Sequence, residues 1–136
     1  MPSPDFDTVS LVTVEENQDA FVVGLSEDQA GEGAYLILQC SLTPPSASDE
    51  ATGLDTYCLL DEDGAVQYGG VTRAALEGGT LALALDEAAA DELGVESRPA
   101  AITLAVPPQD VDRLAAGLHR IFTYGNPAKQ PELVGI

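Results

Sequence analysis

Thr56-Tyr57-Cys58-Leu59-Leu60-Asp61-Glu62-Asp63-Gly64-Ala65-Val66-Gln67-Tyr68 is the stretch whose reading decides the fold. Two apolar, strand-prone runs flank an acidic tetrad that ends in Asp63-Gly64. An Asp-Gly pair between such runs is a strong hairpin signal, because glycine and aspartate accept the positive φ of a tight turn. The stretch predicts strands over Thr56–Leu60 and Ala65–Tyr68 joined in antiparallel. Gly69-Gly70 then interrupts the run, as a bulge or a close backbone approach would.

Reading toward the N-terminus, Tyr35 to Leu42 alternates. Leu36, Leu38, Cys40 and Leu42 share one face, and Tyr35, Ile37, Gln39 and Ser41 share the other. In Ala20 to Leu25, Phe21, Val23 and Leu25 point one way. Phe6 to Val14 is a Val/Thr-rich run of strand character, and Asn17-Gln18-Asp19 is a turn. Ser26 to Gly33 is a polar loop. Between Leu42 and the hairpin, Thr43 to Gly53 carries a proline pair and few large apolar residues, so a surface loop is expected over about 43–55.

Toward the C-terminus, Thr80 to Leu85 alternates, with Leu81, Leu83 and Leu85 on a large face and Ala82 and Ala84 on a small one. Asp86 to Leu93 reads as a short helix with Asp86 as N-cap and Gly94 as its stop. Ala101 to Val106 is a further strand with Ile102, Leu104 and Val106 on one side. Pro107-Pro108 opens a last helix, Gln109 to about Tyr124. Val111, Leu114, Ala115, Leu118, Ile121 and Phe122 form its apolar stripe. Gly125-Asn126-Pro127 stops it, and a tail over about 125–136 is expected on the surface.

The pattern predicts one α+β domain over residues 1–136. Its expected form is a mainly antiparallel sheet of about seven strands, with two late helices on one face. At 136 residues the chain is long enough to bury a core without a metal or a disulfide. Cys40 and Cys58 sit within strand runs and read as reduced, buried small hydrophobes. They would pair across neighbouring strands only if the protein were exported. The first residues lack both a basic cluster and an apolar run, and no stretch is long enough to span a bilayer. A cytoplasmic protein is expected.

Charge carries the functional information. The chain holds 23 acids against 5 bases, a net of −18. That balance argues against nucleic-acid and anionic-membrane partners. Fourteen of the acids and none of the bases lie in residues 1–72. Dense groups fall in expected loops: Glu27, Asp28 and Glu32; Asp49, Glu50 and Asp55; Asp61, Glu62 and Asp63. These nine are the candidate partner-binding residues, a negative surface aimed at a basic protein. Opposed charge accelerates such encounters.

No catalytic set emerges. His119 is the only histidine and flanks the helix stripe with no nucleophile and orienting group assigned to it. The glycine pairs are not phosphate loops, since no Gly-Lys-Ser/Thr follows them. The sequence therefore nominates no enzyme activity, no cofactor and no metal ligand. Two rival readings of the acid stand beside docking. Asp61-Glu62-Asp63-Gly64 would serve a small ligand- or calcium-binding domain, although its glycine is fourth and not sixth as an EF-hand requires. Alternatively the acid serves only solvation.

Five pieces of the chain carry a family resemblance: Tyr35-Leu36-Ile37-Leu38-Gln39; Gly53-Leu54-Asp55-Thr56-Tyr57-Cys58-Leu59; Gln67-Tyr68-Gly69-Gly70-Val71; Leu81-Ala82-Leu83-Ala84-Leu85; and the helix Ala88-Ala89-Ala90-Asp91-Glu92-Leu93-Gly94. Together, from Tyr35 to Glu96, the chain resembles the Imm10 group of bacterial immunity proteins. The resemblance implies a non-enzymatic inhibitor from a polymorphic toxin system, whose partner is a cognate toxin domain. It transfers no site residue and names no toxin. An exposed sheet edge would also support a homodimer.

Overall fold

A computed structural model describes residues 8–18, 20–27, 35–53, 55–61, 66–86 and 100–136. The described elements are ten strands and two α-helices. The strands are β1 (Thr8–Val9), β2 (Leu11–Glu16), β3 (Ala20–Ser26), β4 (Tyr35–Ser41), β5 (Cys58–Asp61), β6 (Val66–Tyr68), β7 (Val71–Glu77), β8 (Thr80–Leu85), β9 (Ala100–Leu104) and β10 (Glu132–Val134). The helices are α1 (Ala47–Thr52) and α2 (Pro108–Phe122), with a 3₁₀ turn over Pro127–Lys129. The α+β class holds. The single sheet of about seven strands does not: there are two five-stranded sheets.

One sheet has the order β2-β3-β4-β5-β6, antiparallel throughout. The other has the order β1-β9-β8-β7-β10. The chain passes between them at two corners. At Ser10 the run expected as one strand divides. Val9 stays with β9, while the Ser10 amide donates to the Ser26 carbonyl at 3.0 Å and leads into β2. At Gly69-Gly70, with φ of 73° and 96°, β6 of one sheet becomes β7 of the other. That backbone conformation is one that side-chain-bearing residues rarely adopt. The expected bulge is therefore a change of sheet.

Tyr57 ties this corner. The Val71 amide donates to its hydroxyl at 3.0 Å, and the hydroxyl faces the Val71 carbonyl at 3.4 Å. Its ring meets Phe122 edge-on, with centroids 5.2 Å apart, a contact worth roughly 0.5–1.5 kcal/mol beyond its buried area. Burial holds the Tyr57 phenol up at about 12, with Val71 opposing and the charge of Asp86 adding to it.

The alternation read from sequence matches the core. Phe21, Val23, Leu25, Leu36, Leu38 and Cys40 are buried on the inner face of the first sheet. Leu81, Leu83, Ile102 and Leu104 are buried in the second. All belong to one cluster with Leu114, Leu118, Ile121 and Phe122 of α2. The helix crosses β2, β3 and β4. Gly117 lets it approach, because a Cβ there would lie 2.9 Å from Val23 Cγ2. Cys40 and Cys58 are both buried and free. Gln39, not Cys40, is the register partner of Cys58, so the two thiols project from opposite faces.

Two expected loops are ordered. The 43–55 segment contains α1, started by a capping box. The Asp49 amide donates to Ser46 Oγ at 3.1 Å, and the Ser46 amide donates to Asp49 Oδ2 at 2.9 Å. Gly53 closes it in the left-handed region. The tail is a strand and not a surface coil. β10 pairs in parallel with β7, and Pro131 is buried. The expected helix over Asp86–Leu93 lies outside the described residues beyond Asp86.

Candidate functional site

Neighbours across an antiparallel pair share a face, and the register of the first sheet therefore defines its outer side. One row reads Glu15, Val22, Gln39, Cys58 and Tyr68 across all five strands. The next reads Thr13, Gly24, Ile37, Leu60 and Val66. Val22, Ile37 and Leu60 are half-buried, and among the described residues none of them belongs to the core cluster. Val66 and Tyr68 are the exposed large hydrophobics among the described residues, at 40% and 41%. Gly24 keeps the strip flat, since Thr13 Oγ1 occupies the space where its side chain would stand. A contiguous apolar face of this kind, with a polar border, is the usual mark of an interaction surface.

Beside Tyr68 the face opens into a cleft of about 280 Å³, lined among others by Gln39, Asp49, Thr56, Cys58, Tyr68 and Tyr124. The α1 capping box fixes Asp49 at this cleft. Thr56 is 4% exposed, and its Oγ1 has no hydrogen-bond partner. An orphaned buried hydroxyl costs about 1–3 kcal/mol. Burial pushes the Tyr68 phenol up, and the Cys58 thiol and Asp49 carboxylate push further. Burial also raises Tyr124, against its bond to Ser41, with Cys40, Asp49 and Asp55 adding to the rise. Both phenols are therefore neutral at physiological pH. Burial raises the thiols of Cys58 and Cys40 as well, so neither is poised as a thiolate nucleophile. The described lining of the cleft offers hydrogen-bonding hydroxyls and one carboxylate.

The acids named from sequence divide. Glu50 on α1 is exposed and Asp49 is half-buried. Glu27 is exposed just past β3, where its carbonyl accepts from Ser10 Oγ. Asp61 closes β5 opposite Leu36. Asp28, Glu32, Glu62 and Asp63 lie outside the described residues, and with them most of the turn read as a calcium candidate. Asp55 does not face solvent: it is 6% exposed. Lys129 Nζ lies 2.6 Å from its Oδ1, and Asn126 Nδ2 donates to its Oδ2 at 3.1 Å. The Lys129 bond holds its carboxyl below the usual range, against burial. Asp55 thus clasps the C-terminal segment to the sheet. Gly125 completes the clasp, because a Cβ there would overlap the Asp55 carbonyl.

The described cations are all engaged. Arg73 pairs with Glu132, Arg113 with Asp110, Arg120 with Glu16 and Lys129 with Asp55. Arg120 also lies over the Phe21 ring at 4.4 Å. None of these four bases pairs with Asp49, which lines the cleft, or with Glu50. His119 is exposed on α2. Among the described residues, no three His, Cys, Asp or Glu side chains gather as a metal site would need, and no helix is long and apolar enough to cross a membrane.

Sequence reasoning missed α1 and the cleft. The capping pattern Ser46-x-x-Asp49 was the available signal, masked by Pro44-Pro45 before it and by the lack of any large apolar residue within it. No curated protein and no solved structure matches the chain. Residues 8–112 match the family described as Immunity protein 10, a span from β1 into α2 that includes all five strands of the first sheet. On that match, the chain belongs to the Immunity protein 10 (Imm10) family.

Proposed function

We propose that this chain neutralises a cognate bacterial toxin by covering the toxin's functional surface with the outer face of the β2–β6 sheet. The observation that carries the reading is the pairing of an apolar strip, ended by the exposed Val66 and Tyr68, with the acidic lip of α1. Apolar and aromatic residues supply the desolvated centre of an interface, and charge at its rim supplies speed and selectivity. The toxin partner is proposed to be basic, as a net charge of −18 favours. Glu27, Asp28, Glu32, Asp49, Glu50, Glu62 and Asp63 are proposed to border the contact; Asp61 is left out because it is the register partner of the inward-facing Leu36. Asp55 is left out because its charge is used inside the fold. Inhibition is proposed to be by occlusion, in the cytoplasm, without catalysis or cofactor.

The test is co-expression with a toxin domain identified among the genes next to this one. Wild type is expected to protect the cell and to co-purify with the toxin. Val66→Lys with Tyr68→Lys is expected to abolish both while leaving the melting temperature within a few degrees of wild type, since both side chains are exposed. Full protection by the folded double variant refutes docking on this face.

A further inference from the structure

We infer that the cleft beside Tyr68 is a socket for one basic side chain of the toxin, a lysine or arginine that enters between β4, β5 and α1. This rests on the proposed docking of the toxin on the outer sheet face and names the chemistry of its anchor. The socket adjoins that face directly, since Gln39, Cys58 and Tyr68 belong to both.

Two groups in it call for a cationic donor. Asp49 presents a carboxylate of which one oxygen accepts from the Ser46 amide, and an ionised carboxylate has room for further donors. None of the four described cations pairs with it. Thr56 lines the same cleft, and its Oγ1 is buried without a hydrogen-bond partner, a rare condition that a donor from outside would end. An apolar tip would leave that hydroxyl orphaned. An anionic tip would meet the charge of Asp49 and a chain of net −18. A lysine ammonium or arginine guanidinium satisfies both groups, and hydrogen bonds from a charged donor are the stronger kind. The rest of the lining supports this choice. The phenols of Tyr68 and Tyr124 and the thiol of Cys58 are neutral and offer no competing positive charge.

The experiment measures the affinity of the full chain for the toxin domain identified among the neighbouring genes, by calorimetry, with two conservative variants. Thr56→Val removes the hydroxyl and keeps the shape. Asp49→Asn removes the charge and keeps an oxygen for the Ser46 amide. Each is expected to weaken binding at least tenfold. Thr56→Val is expected to do so while melting at a higher temperature than wild type, because the free protein loses an orphaned polar group. That opposition of signs is what a merely structural role would not produce. If wild type captures the toxin and either variant binds within twofold of it, the socket is wrong and the docking face stands. If wild type does not capture the toxin, the docking reading falls and the socket with it.

Discussion

Tyr57→Phe should cost stability at neutral pH and give much of it back in alkali. The substitution removes only the hydroxyl to which the Val71 amide donates at 3.0 Å in the sheet corner. Loss of one partner from a buried hydrogen bond costs about 1–3 kcal/mol. The same hydroxyl is an acid whose value rises from 10.0 in the open chain to about 12 in the fold. Between those values the unfolded chain has released the proton and the folded protein has kept it. The folded state then binds more protons, so stability falls as pH rises. Each unit is worth roughly 1.4 kcal/mol, or about 2.7 kcal/mol over the full window. The contribution is intact below pH 10 and lost progressively above it. Phenylalanine cannot ionise, so the variant lacks this limb. The deficit of the variant should shrink by about 1.3 kcal/mol between pH 8 and pH 11. Urea unfolding of both proteins at each pH measures it, and other titrating groups cancel in the difference. A deficit that stays constant to pH 11 refutes the account of Tyr57 as a buried, neutral clamp.

Two further outcomes follow from the same structure. Asp55 has a depressed carboxyl, so its stabilising charge is fully present above the ordinary aspartate value of about 3.9 and is lost as pH falls through its lower folded value. Asp55→Asn should therefore be less stable than wild type at pH 7 and should lose less on acidification below pH 4, read by thermal melts across that range. Ser46→Ala removes the hydroxyl that accepts from the Asp49 amide and leaves the Ser46 backbone amide to donate to Asp49, a loss of about 0.5–2 kcal/mol to a helix. Since α1 contributes no buried residue, amide exchange over residues 47–52 should quicken while the global unfolding midpoint scarcely moves. A large drop in the midpoint would mean that α1 supports the core.

Much of the core was legible because period-2 alternation survives in β3, β4 and β8, although not in β7. Leu36, Leu38 and Cys40 face inward, as do Phe21, Val23 and Leu25. The Asp63-Gly64 signal correctly paired β5 with β6. Partition into two sheets was not legible, because alternation says which side is buried and not which neighbour a strand chooses. The change of sheet at Ser10 occurs within one unbroken Val/Thr-rich run. Parallel pairing of β10 with β7 rests on contacts between residues 132–134 and 73–75, which no local pattern encodes. The site was half-legible. Asp49 and Glu50 stand out as acids, but Thr56 and Tyr68 gain meaning only when α1 and the β5–β6 pair place them at one cleft. Asp55 misled because an acid between a glycine-containing loop and a strand looks wet, and its base is Lys129, more than 70 positions away.

The parallel edges of the second sheet have a consequence for how this molecule is made. β1 and β10 flank that sheet, and each joins a strand distant in sequence. Neither can zip from a turn, so each waits on a large loop closure, and such topologies fold slowly. During synthesis the β2–β6 sheet can assemble as soon as residue 68 has emerged. Its companion stays open on one side until residues 132–134 leave the ribosome. The proposed docking face is thus built early by translation, and the sheet behind it closes later.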